Sequence, residues 1–500
     1  MVLDDDASYQ AITARDARFD GRLFVGVTST RIYCRPICRV RTPRRENCRF
    51  FETPAQAEAA AFRPCMKCRP EVAPGPGLPW TVMDASHTLA RQAADSLDAQ
   101  AASGEAPSLA ALALRLGVSD RHLRRIFAAV HGVTPLQYLQ TRRLLLAKQL
   151  LTDTPLPVVQ VALASGFRSL RRFNAAFAAN YRMSPSRLRE ANDGPRRSPS
   201  IRRNNDGSDD RGIAVTLGYR APLDHVALLR FVAQRAIPGV ESVSGHSIRR
   251  SLRAGLAGDA AGWVEAEFLS DTSQVRLRFS ARLANASGRL VSEARRWLDL
   301  DAAPQTIDTA LSALPGAPGL RLPGGLDAFE LAVRAVLGQQ VTVAAARTLA
   351  ARLVVRFGTA IDTPWVDVNR LFPAPAVLAE SRLEHIAELG IIRTRAAAIL
   401  ALAQAWPTLS ESLRSRAAPE VLIDTLCALP GIGPWTAHYI AMRALGWPDA
   451  FPPNDVAVLK AMKQLFNTGS QREAQARAQA WQPWRAYAVL RLWNSLEKTP

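Results

Sequence analysis

Leu429-Pro430-Gly431-Ile432-Gly433-Pro434-Trp435-Thr436-Ala437 is the stretch that decides the fold of the C-terminal part of the chain. It predicts the end of one helix, a glycine-rich hairpin and the start of another helix. Gly431 and Gly433 let backbone N–H groups approach a DNA phosphate, and the N-terminus of the next helix adds positive potential. Twenty residues after Trp435, the segment Phe451-Pro452-Pro453-Asn454-Asp455 presents a carboxylate. Asp455 is a candidate catalytic group, and it can cap a helix at the same time.

Length and charge set the limits for the rest of the chain. At 500 residues it is too long for one core, so three or four domains are expected. The net charge of +19 indicates a polyanionic partner, either nucleic acid or an anionic membrane surface. No apolar run reaches eighteen residues, and the acidic start at Asp4, Asp5 and Asp6 is unlike a signal peptide. We therefore expect a cytoplasmic, nucleoid-associated protein that binds double-stranded DNA and no membrane.

Two segments predict linkers. Pro70–Pro79 is rich in proline and glycine, and 191–212 is almost free of large apolar residues and is expected to be disordered. The first domain is mixed, the second reads as short helices, and the last block opens with strand-like alternation before turning helical near Leu326. The predicted parts are residues 1–75, 80–190, the linker 191–212, 213–325 and 326–500.

Four cysteines predict a metal site in the first domain. Cys34-x3-Cys38 and Cys65-x2-Cys68 are two close pairs, the spacing that a tetrahedral Zn²⁺ requires, and one ion is expected. A purely structural zinc ribbon is an open alternative. Arginines surround the first pair and predict a phosphate-binding surface, with Arg35 and Arg45 as candidate DNA contacts. The full set is Arg31, Arg35, Arg39, Arg41, Arg44, Arg45 and Arg49.

The second domain carries a helix, a tight turn and a second helix, twice over. Ser119 and Ser169 are placed to cap the two second helices. Their outward positions hold the side-chain types that read guanine and adenine edges in DNA. These candidate DNA-binding residues are Arg121, Arg124, Arg171, Arg172 and Asn174. A helical spacer whose arginines only solvate it is the alternative.

The residues around the cysteines resemble the zinc domain of Ada-type methylation-response proteins. The matching runs are Val27 to Cys38, Arg45 to Asn47 and Phe62 to Pro70. The second helical repeat, from Ala164 to Phe177, resembles the AraC-type DNA-binding domain. The first resemblance implies that Cys34 accepts a methyl group from a DNA methylphosphotriester. Methylation would lower the negative charge of the zinc–thiolate centre, so DNA affinity should rise and promoter binding be activated. The chain lacks the Pro-Cys-His-Arg motif, so no O6-methylguanine repair is expected.

Residues 213–500 resemble the AlkA-type 3-methyladenine glycosylases, with matching segments at 321–330, 335–340 and 481–490. This resemblance implies an α/β, TBP-like subdomain followed by helical helix-hairpin-helix subdomains. It also implies a flipped base in a pocket of Phe231, Trp435, Tyr439 and Trp493, beside the catalytic Asp455. Cationic alkylated purines would suit electron-rich rings.

The chain departs from that family's pattern at two positions. Trp435 stands where strand-cutting members carry lysine, so a monofunctional enzyme is expected. Gln340 stands at the position of the wedge leucine that fills the vacated base stack. No cysteine cluster for an iron–sulfur centre follows. Ordinary core packing is expected for Trp481, Trp484 and Tyr487.

These patterns together predict a multidomain DNA alkylation repair enzyme and regulator. It would excise 3-methyladenine and 7-methylguanine by hydrolysis and take up a methyl group on Cys34. A monomer that also contacts RNA polymerase is expected. The alternative is a transcription regulator whose glycosylase domain is catalytically idle.

Overall fold

The computed structural model describes residues 4–75, 85–103, 108–192, 212–254, 260–414, 419–468 and 470–496. Most of the segment predicted to be a disordered linker, 193–211, lies outside these residues. The chain forms two compact units. The first comprises Met1–Ala221, Ala254–Ala260 and Leu269–Ser292, and the second comprises Pro222–Arg253, Ala261–Phe268 and Glu293–Pro500. The predicted zinc and helix-turn-helix domains both belong to the first unit.

The first unit begins with a four-stranded sheet. Phe24–Val27 pairs antiparallel with Ile32–Cys34 and with Cys48–Phe51, and Ile32–Cys34 pairs in parallel with Arg63–Pro64. Successive side chains of a strand face opposite sides, so Tyr33 packs with Phe24 and Phe62 while Cys34 joins the other cysteines. The helices here are Asp5–Thr13 and Pro54–Ala59.

The segment from Pro70 differs from the expected linker. Pro70–Val72 forms a 3₁₀ helix, and both of its end residues are buried. Proline fits there because the first turn of a helix does not need its N–H. Residues 76–79 of the predicted linker lie outside the described chain.

The helical part of the first unit contains two helix-turn-helix pairs. In the first turn Gly117 adopts a left-handed φ of 70°, and in the second Gly166 has φ 83°. Ser119 and Ser169 cap the second helices by accepting the N–H groups of His122 and Arg172 at 3.2 and 3.4 Å. The helices are Ala85–Ser103, Leu109–Arg115, Asp120–His131, Pro135–Asp153, Val158–Ala164, Leu170–Tyr181 and Pro185–Asn192.

Buried polar contacts join the zinc-binding and helical parts of this unit. Lys148 Nζ lies 2.6 Å from Glu71 Oε2, and both side chains are almost fully buried. Arg69 forms a second ion pair with Asp153 at 2.7 Å. The two predicted domains are therefore packed together through charged groups that solvent does not reach.

Two strands complete the first unit. Ile213–Gly218 pairs antiparallel with Gln274–Phe279. Val275, Leu277 and Phe279 are all fully buried, as the alternation of apolar and polar residues in that strand predicts.

The second unit contains an antiparallel pair, Glu241–Ser244 with Ser247–Ala254, and is otherwise mainly helical. At its centre, helix Ala328–Leu337 packs against Arg393–Arg414 and Pro434–Ile440. The remaining strands are Ala260–Leu269, Thr359–Ala360 and Arg370–Leu371. The remaining helices are His225–Arg235, Ser287–Trp297, Pro304–Ala310, Val343–Phe357, Pro375–Ala379, Leu383–Ala387, Pro419–Cys427, Val456–Phe466, Gln471–Ala478 and Arg485–Leu496.

The predicted hairpin lies between helices Pro419–Cys427 and Pro434–Ile440. Gly431 has φ 78°, and a Cβ there would lie 2.8 Å from Ala398 Cβ, so glycine is required. Gly433 is exposed, and a Cβ at this position would meet nothing within 4 Å. Ile432, which is 4% exposed, anchors the turn between them. Among the described helices, none is long and apolar enough to cross a membrane.

Candidate functional site

Asp455 is held in one orientation by three hydrogen-bond donors. It precedes helix Val456–Phe466 and caps it, because Oδ1 accepts the N–H of Val458 at 2.8 Å. The same oxygen accepts Nε1–H of Trp493 at 3.0 Å, and Oδ2 accepts Nε1–H of Trp435 at 2.9 Å. The residue is 7% exposed. Charged hydrogen bonds of this kind are stronger than neutral ones, so the carboxylate is fixed before any substrate arrives.

Three of the four aromatics predicted to line the pocket form one cluster around this carboxylate. Trp435 and Tyr439 are stacked, with ring centroids 5.3 Å apart and an interplanar angle of 11°. Tyr439 and Trp493 follow at 6.2 Å. The prediction missed that the two indoles also donate to Asp455. The signal for this lies in residue type, because tryptophan carries an N–H that phenylalanine lacks.

Phe231, the fourth predicted aromatic, is surrounded by cations. The guanidinium of Arg235 lies 3.7 Å from its ring centroid, and that of Arg443 lies 4.8 Å from it. An open electron-rich face for a cationic base was expected here, and the protein's own arginines occupy that position. The sequence reasoning overlooked both arginines. A usable signal is the i, i+4 spacing of Tyr439 and Arg443.

Arg443 is the most highly connected side chain of the site. It lies in a π-helical turn, Ala441–Leu445, and is 6% exposed. Nη1 donates to the Tyr439 hydroxyl at 2.8 Å, Nη2 donates to the Gly324 carbonyl at 3.2 Å, and Nε donates to the Pro323 carbonyl. Burial acts to raise the pKa of Tyr439, but the neighbouring arginines, Arg443 first, outweigh it and lower that pKa.

A buried ionic network stands behind the arginines. Arg250 contacts Glu330 at 2.5 Å and Glu241 at 3.1 Å, while Arg334 contacts Glu330 at 2.8 Å. Arg334 also donates to the carbonyl of Arg235 at 2.5 Å, which fixes the end of helix His225–Arg235 beside Phe231. The recess between these groups encloses about 280 Å³. Its wall is charged, in contrast to the apolar pocket typical of small-molecule sites.

Gln340 lies beside the hairpin in a strained backbone conformation. Its φ is 53°, and its side chain is exposed. The preceding residue, Gln339, donates from Nε2 to the Gly431 carbonyl and to Thr436 Oγ1, both at 2.9 Å. A left-handed conformation of a non-glycine residue costs about 1 kcal/mol and is concentrated at functional sites. Gln339 therefore ties the loop that presents Gln340 to the hairpin.

The four predicted metal ligands come together in the first unit. The sulfurs of Cys34, Cys38, Cys65 and Cys68 all lie within 4.8 Å of one another. Sulfurs bound to a tetrahedral Zn²⁺ are about 3.8 Å apart, given a Zn–S bond of about 2.3 Å, so this donor set fits the ion. Hydrogen bonds from the other cysteines raise the pKa of the Cys34 thiol, so a bound cation is needed to keep it as a thiolate.

The remaining cysteines are not part of this cluster. Cys48 is buried and donates to the Arg44 carbonyl at 3.3 Å. Cys427 is half-buried beside the core of the second unit. Both positions agree with a packing role.

The arginines near the cluster divide into two groups. Arg35, expected on the DNA-facing surface, is buried and paired with Asp20, and it donates to the Cys68 carbonyl at 3.0 Å. That expectation of an exposed guanidinium is corrected, because the buried carboxylate of Asp20 holds the arginine inside. Arg45 is half-exposed and bound to Asp5 and Asp6 at 3.1 and 3.3 Å.

Arg31 and Arg49 are exposed and lie over aromatic rings. Their guanidinium carbons are 5.7 and 5.9 Å from the Phe62 ring centroid. A guanidinium over a ring keeps its N–H groups available at the edge. The prediction named these two only as members of the wider arginine cluster.

The predicted DNA-reading residues of the helical part are exposed. Arg121 and Arg124 lie on helix Asp120–His131, whose opposite face buries Leu123, Ile126 and Phe127. Arg171, Arg172 and Asn174 hold the matching positions on Leu170–Tyr181. Arg124 pairs with Asp120 at 3.0 Å, an exposed i, i+4 contact of little energetic weight.

Comparison with known families assigns each part of the chain. Family models match as follows: the metal binding domain of Ada over residues 7–71, a helix-turn-helix domain over 112–191, the AlkA N-terminal domain over 214–327, and the HhH-GPD superfamily of base excision DNA repair proteins over 333–486. With the cysteine cluster and the hairpin beside Asp455, these matches define the class. It is a zinc-binding, helix-turn-helix chain joined to a helix-hairpin-helix base excision repair fold.

The whole chain also has a full-length relative. The probable bifunctional transcriptional activator/DNA repair enzyme AlkA of Mycobacterium tuberculosis is 36% identical over 99% of this chain and 97% of that protein. The chain belongs to this family of bifunctional transcriptional activator/DNA repair enzymes.

Other relatives match single parts. DNA-3-methyladenine glycosylase 2 of Escherichia coli is 36% identical over 56% of this chain and 96% of that protein. Bifunctional transcriptional activator/DNA repair enzyme Ada of Escherichia coli is 37% identical over 28% of this chain and 37% of that protein. Among solved structures, the 3-methyladenine DNA-glycosylase from Archaeoglobus fulgidus covers 56% of this chain and 97% of its own at 21% identity, with a TM-score of 0.47.

Proposed function

We propose that the chain repairs alkylated DNA in two ways and regulates transcription in response. Its second unit excises alkylated purines such as 3-methyladenine and 7-methylguanine, and its first unit accepts methyl groups from DNA methylphosphotriesters. The observation that carries the excision activity is the carboxylate of Asp455, held by the indole N–H groups of Trp435 and Trp493 beside a stack of aromatic rings. The full-length relative supports the combination of repair and regulation.

Excision would proceed with the damaged base flipped out of the duplex. Gln340 would fill the space that the base leaves, and Gly431 and Gly433 would bring backbone N–H groups to a neighbouring phosphate. As the bond between C1′ and the base nitrogen breaks, its electron pair moves to the base and positive charge develops on the sugar. Asp455 stabilises that charge, and a water molecule adds to C1′. Trp435 offers no amine for covalent attack, so the reaction ends at hydrolysis.

Methyl transfer would use the cysteine cluster of the first unit. Zn²⁺, when bound by Cys34, Cys38, Cys65 and Cys68, would supply the positive charge that keeps the acceptor sulfur a thiolate. We propose Cys34 as the acceptor: its sulfur attacks the methyl carbon, and the electron pair of the C–O bond leaves with the phosphodiester oxygen. No group in the cluster removes a methyl from the resulting thioether, so each chain reacts once.

Access to the acceptor sulfur needs its own test. Cys34 is 5% exposed, whereas Cys68 is half-buried, so exposure alone favours Cys68. Peptide mapping after incubation with methylated DNA decides between them. A methyl on the Cys34 peptide, lost in Cys34→Ser, is expected. A methyl on the Cys68 peptide instead would reassign the acceptor.

DNA would be held by exposed cations of the first unit. We propose that Arg31 and Arg49 contact phosphates near the cysteines, and that the two helix-turn-helix motifs read bases through the five polar residues on their second helices. Arg49→Gln should weaken binding at all sequences and reduce the slope of log K against log salt by about 0.9. An unchanged slope would remove Arg49 from the phosphate contacts. We further propose a monomer, located with the nucleoid in the cytoplasm, that recruits RNA polymerase at its promoters.

Base release from alkylated duplex DNA tests the proposed enzyme directly. The wild-type chain should release 3-methyladenine and 7-methylguanine, and Asp455→Asn should lower the single-turnover rate at least about a hundredfold. Asp367→Asn, which changes an exposed carboxylate, is the matched control. Equal release by wild type and Asp455→Asn would overturn the mechanism. No release by wild type would favour the alternative, a regulator with an idle glycosylase domain.

A further inference from the structure

The hydroxyl of Tyr439 carries a hydrogen that the protein does not use. Arg443 Nη1 donates to its oxygen at 2.8 Å, and this is its only hydrogen-bond partner in the described part of the chain. Arg443 has no freedom to turn away, because Nε and Nη2 are bound to the carbonyls of Pro323 and Gly324. The guanidinium therefore occupies one acceptor position of the hydroxyl permanently.

A hydroxyl that accepts from a cation becomes a better donor. The guanidinium withdraws electron density from the oxygen, and hydrogen bonds in a chain polarise one another. Because Arg443 has no lone pair, it cannot accept the Tyr439 hydrogen in return. The O–H bond must therefore point to something other than Arg443.

The ring of Tyr439 lies where a flipped base would stack. It is 5.3 Å from Trp435 and 6.2 Å from Trp493, the two indoles that hold Asp455. We infer that the Tyr439 hydroxyl is a further catalytic group, which donates a hydrogen bond to the departing base and so allows the site to release neutral bases as well as cationic ones. Arg443 is its positioning residue. This inference rests on the proposed glycosylase function.

The electron balance shows which substrates need this donor. When the C1′–N bond breaks, its electron pair moves onto the base. A cationic base such as 7-methylguanine becomes neutral and needs no further help. A neutral base such as hypoxanthine becomes an anion, which a hydrogen bond from Tyr439 to a ring nitrogen or carbonyl oxygen stabilises. No proton has to be transferred completely, since water can protonate the released anion.

The positive surroundings of the recess agree with this assignment. Arg235 and Arg443 both lie over Phe231, and Arg334 lies in the same wall. Three guanidiniums attract a base on which negative charge develops and give no advantage to a base that is already cationic. The charge of the site therefore favours the same class of leaving group as the Tyr439 hydroxyl.

The test compares two substrates in one protein preparation. Single-turnover release of hypoxanthine and of 7-methylguanine is measured from the same duplex sequence, with full-length wild type and Tyr439→Phe. Both rates fall in Tyr439→Phe because the ring belongs to the site, but the ratio of hypoxanthine to 7-methylguanine rates should fall about tenfold or more. Any misfolded fraction cancels in this ratio. Tyr487→Phe is the matched control, because its hydroxyl is bound to Asp299 at 2.7 Å and its ratio should equal that of wild type.

Arg443 variants supply the second measurement. Arg443→Gln removes the cation, and its ratio should fall in the same direction, while Arg443→Lys should restore part of it. A ratio that is unchanged in Tyr439→Phe, or that falls equally in Tyr487→Phe, would overturn the inference while leaving the glycosylase intact. Absence of release of either base by wild type would instead overturn the proposed function.

Discussion

Trp493→Phe isolates the hydrogen bond between an indole and the catalytic carboxylate. The substitution keeps an aromatic ring next to Tyr439 and removes only the N–H that Asp455 Oδ1 accepts at 3.0 Å. A hydrogen bond to a charged group contributes about 1.5–3 kcal/mol, and about 1.4 kcal/mol corresponds to a tenfold change in rate. Asp455 keeps two other donors, Val458 N–H and Trp435 Nε1–H, so the effect should fall at the lower end. We expect a loss of about 10- to 30-fold in the single-turnover rate.

The assay is release of 7-methylguanine from duplex DNA under single-turnover conditions. Trp447→Phe is the control, since its Nε1 is buried without a hydrogen-bond partner in the described chain and its loss breaks no contact of this kind. The same substitutions are then made in an Asp455→Asn background. If Trp493 acts through the carboxylate, its effect should largely disappear there, and the coupling free energy should approach the single-variant loss. Equal losses in both backgrounds, or a loss matched by Trp447→Phe, would refute the reasoning.

Three further outcomes are expected. Gln340→Gly should raise the free energy of unfolding by up to about 1 kcal/mol, because glycine adopts φ 53° without strain, yet lower excision from duplex more than from single-stranded DNA. A denaturant titration and both release assays check this, and equal losses on the two substrates would contradict the wedge role. Gln339→Ala should lower the free energy of unfolding by about 2 kcal/mol, because two hydrogen bonds to the hairpin are lost. Burial raises the pKa of Glu58 to about 8, so its stabilising contribution is complete below about 4.5 and is lost as pH rises through 8. Thermal unfolding of the full chain between pH 5 and 8.5 should therefore depend on pH less in Glu58→Gln than in wild type, and parallel curves would contradict this.

The sequence alone was sufficient for features that depend on local spacing. The hairpin around Gly431, the carboxylate at Asp455 and the four cysteines are recognisable because their chemistry requires short, regular intervals in the chain. The caps at Ser119 and Ser169 follow for the same reason, since an N-cap bonds to a residue three positions away. Such local rules survive folding almost unchanged.

Features that depend on tertiary contacts were not predictable. Arg35 looks like any other arginine of its cluster, and only the fold brings Asp20 against it. The stacking of Arg235 and Arg443 on Phe231 joins residues more than 200 positions apart. The donation from Trp493 to Asp455 spans 38 positions. No periodicity or composition reports such pairs, because they are set by how helices pack and not by where residues stand in sequence.

The buried ion pair of Lys148 with Glu71 limits how this chain can be cut or recombined. Removing residues 1–75 would leave the ammonium of Lys148 enclosed without a counter-charge, a loss of about 3–5 kcal/mol for a domain of ordinary stability. Arg69 and Asp153 add a second such dependence. A truncated fragment that begins after the zinc-binding part should therefore fold poorly even with its DNA-reading helices intact. In engineering, and in the exchange of domains during evolution, the first 192 residues must be inherited as a single cassette.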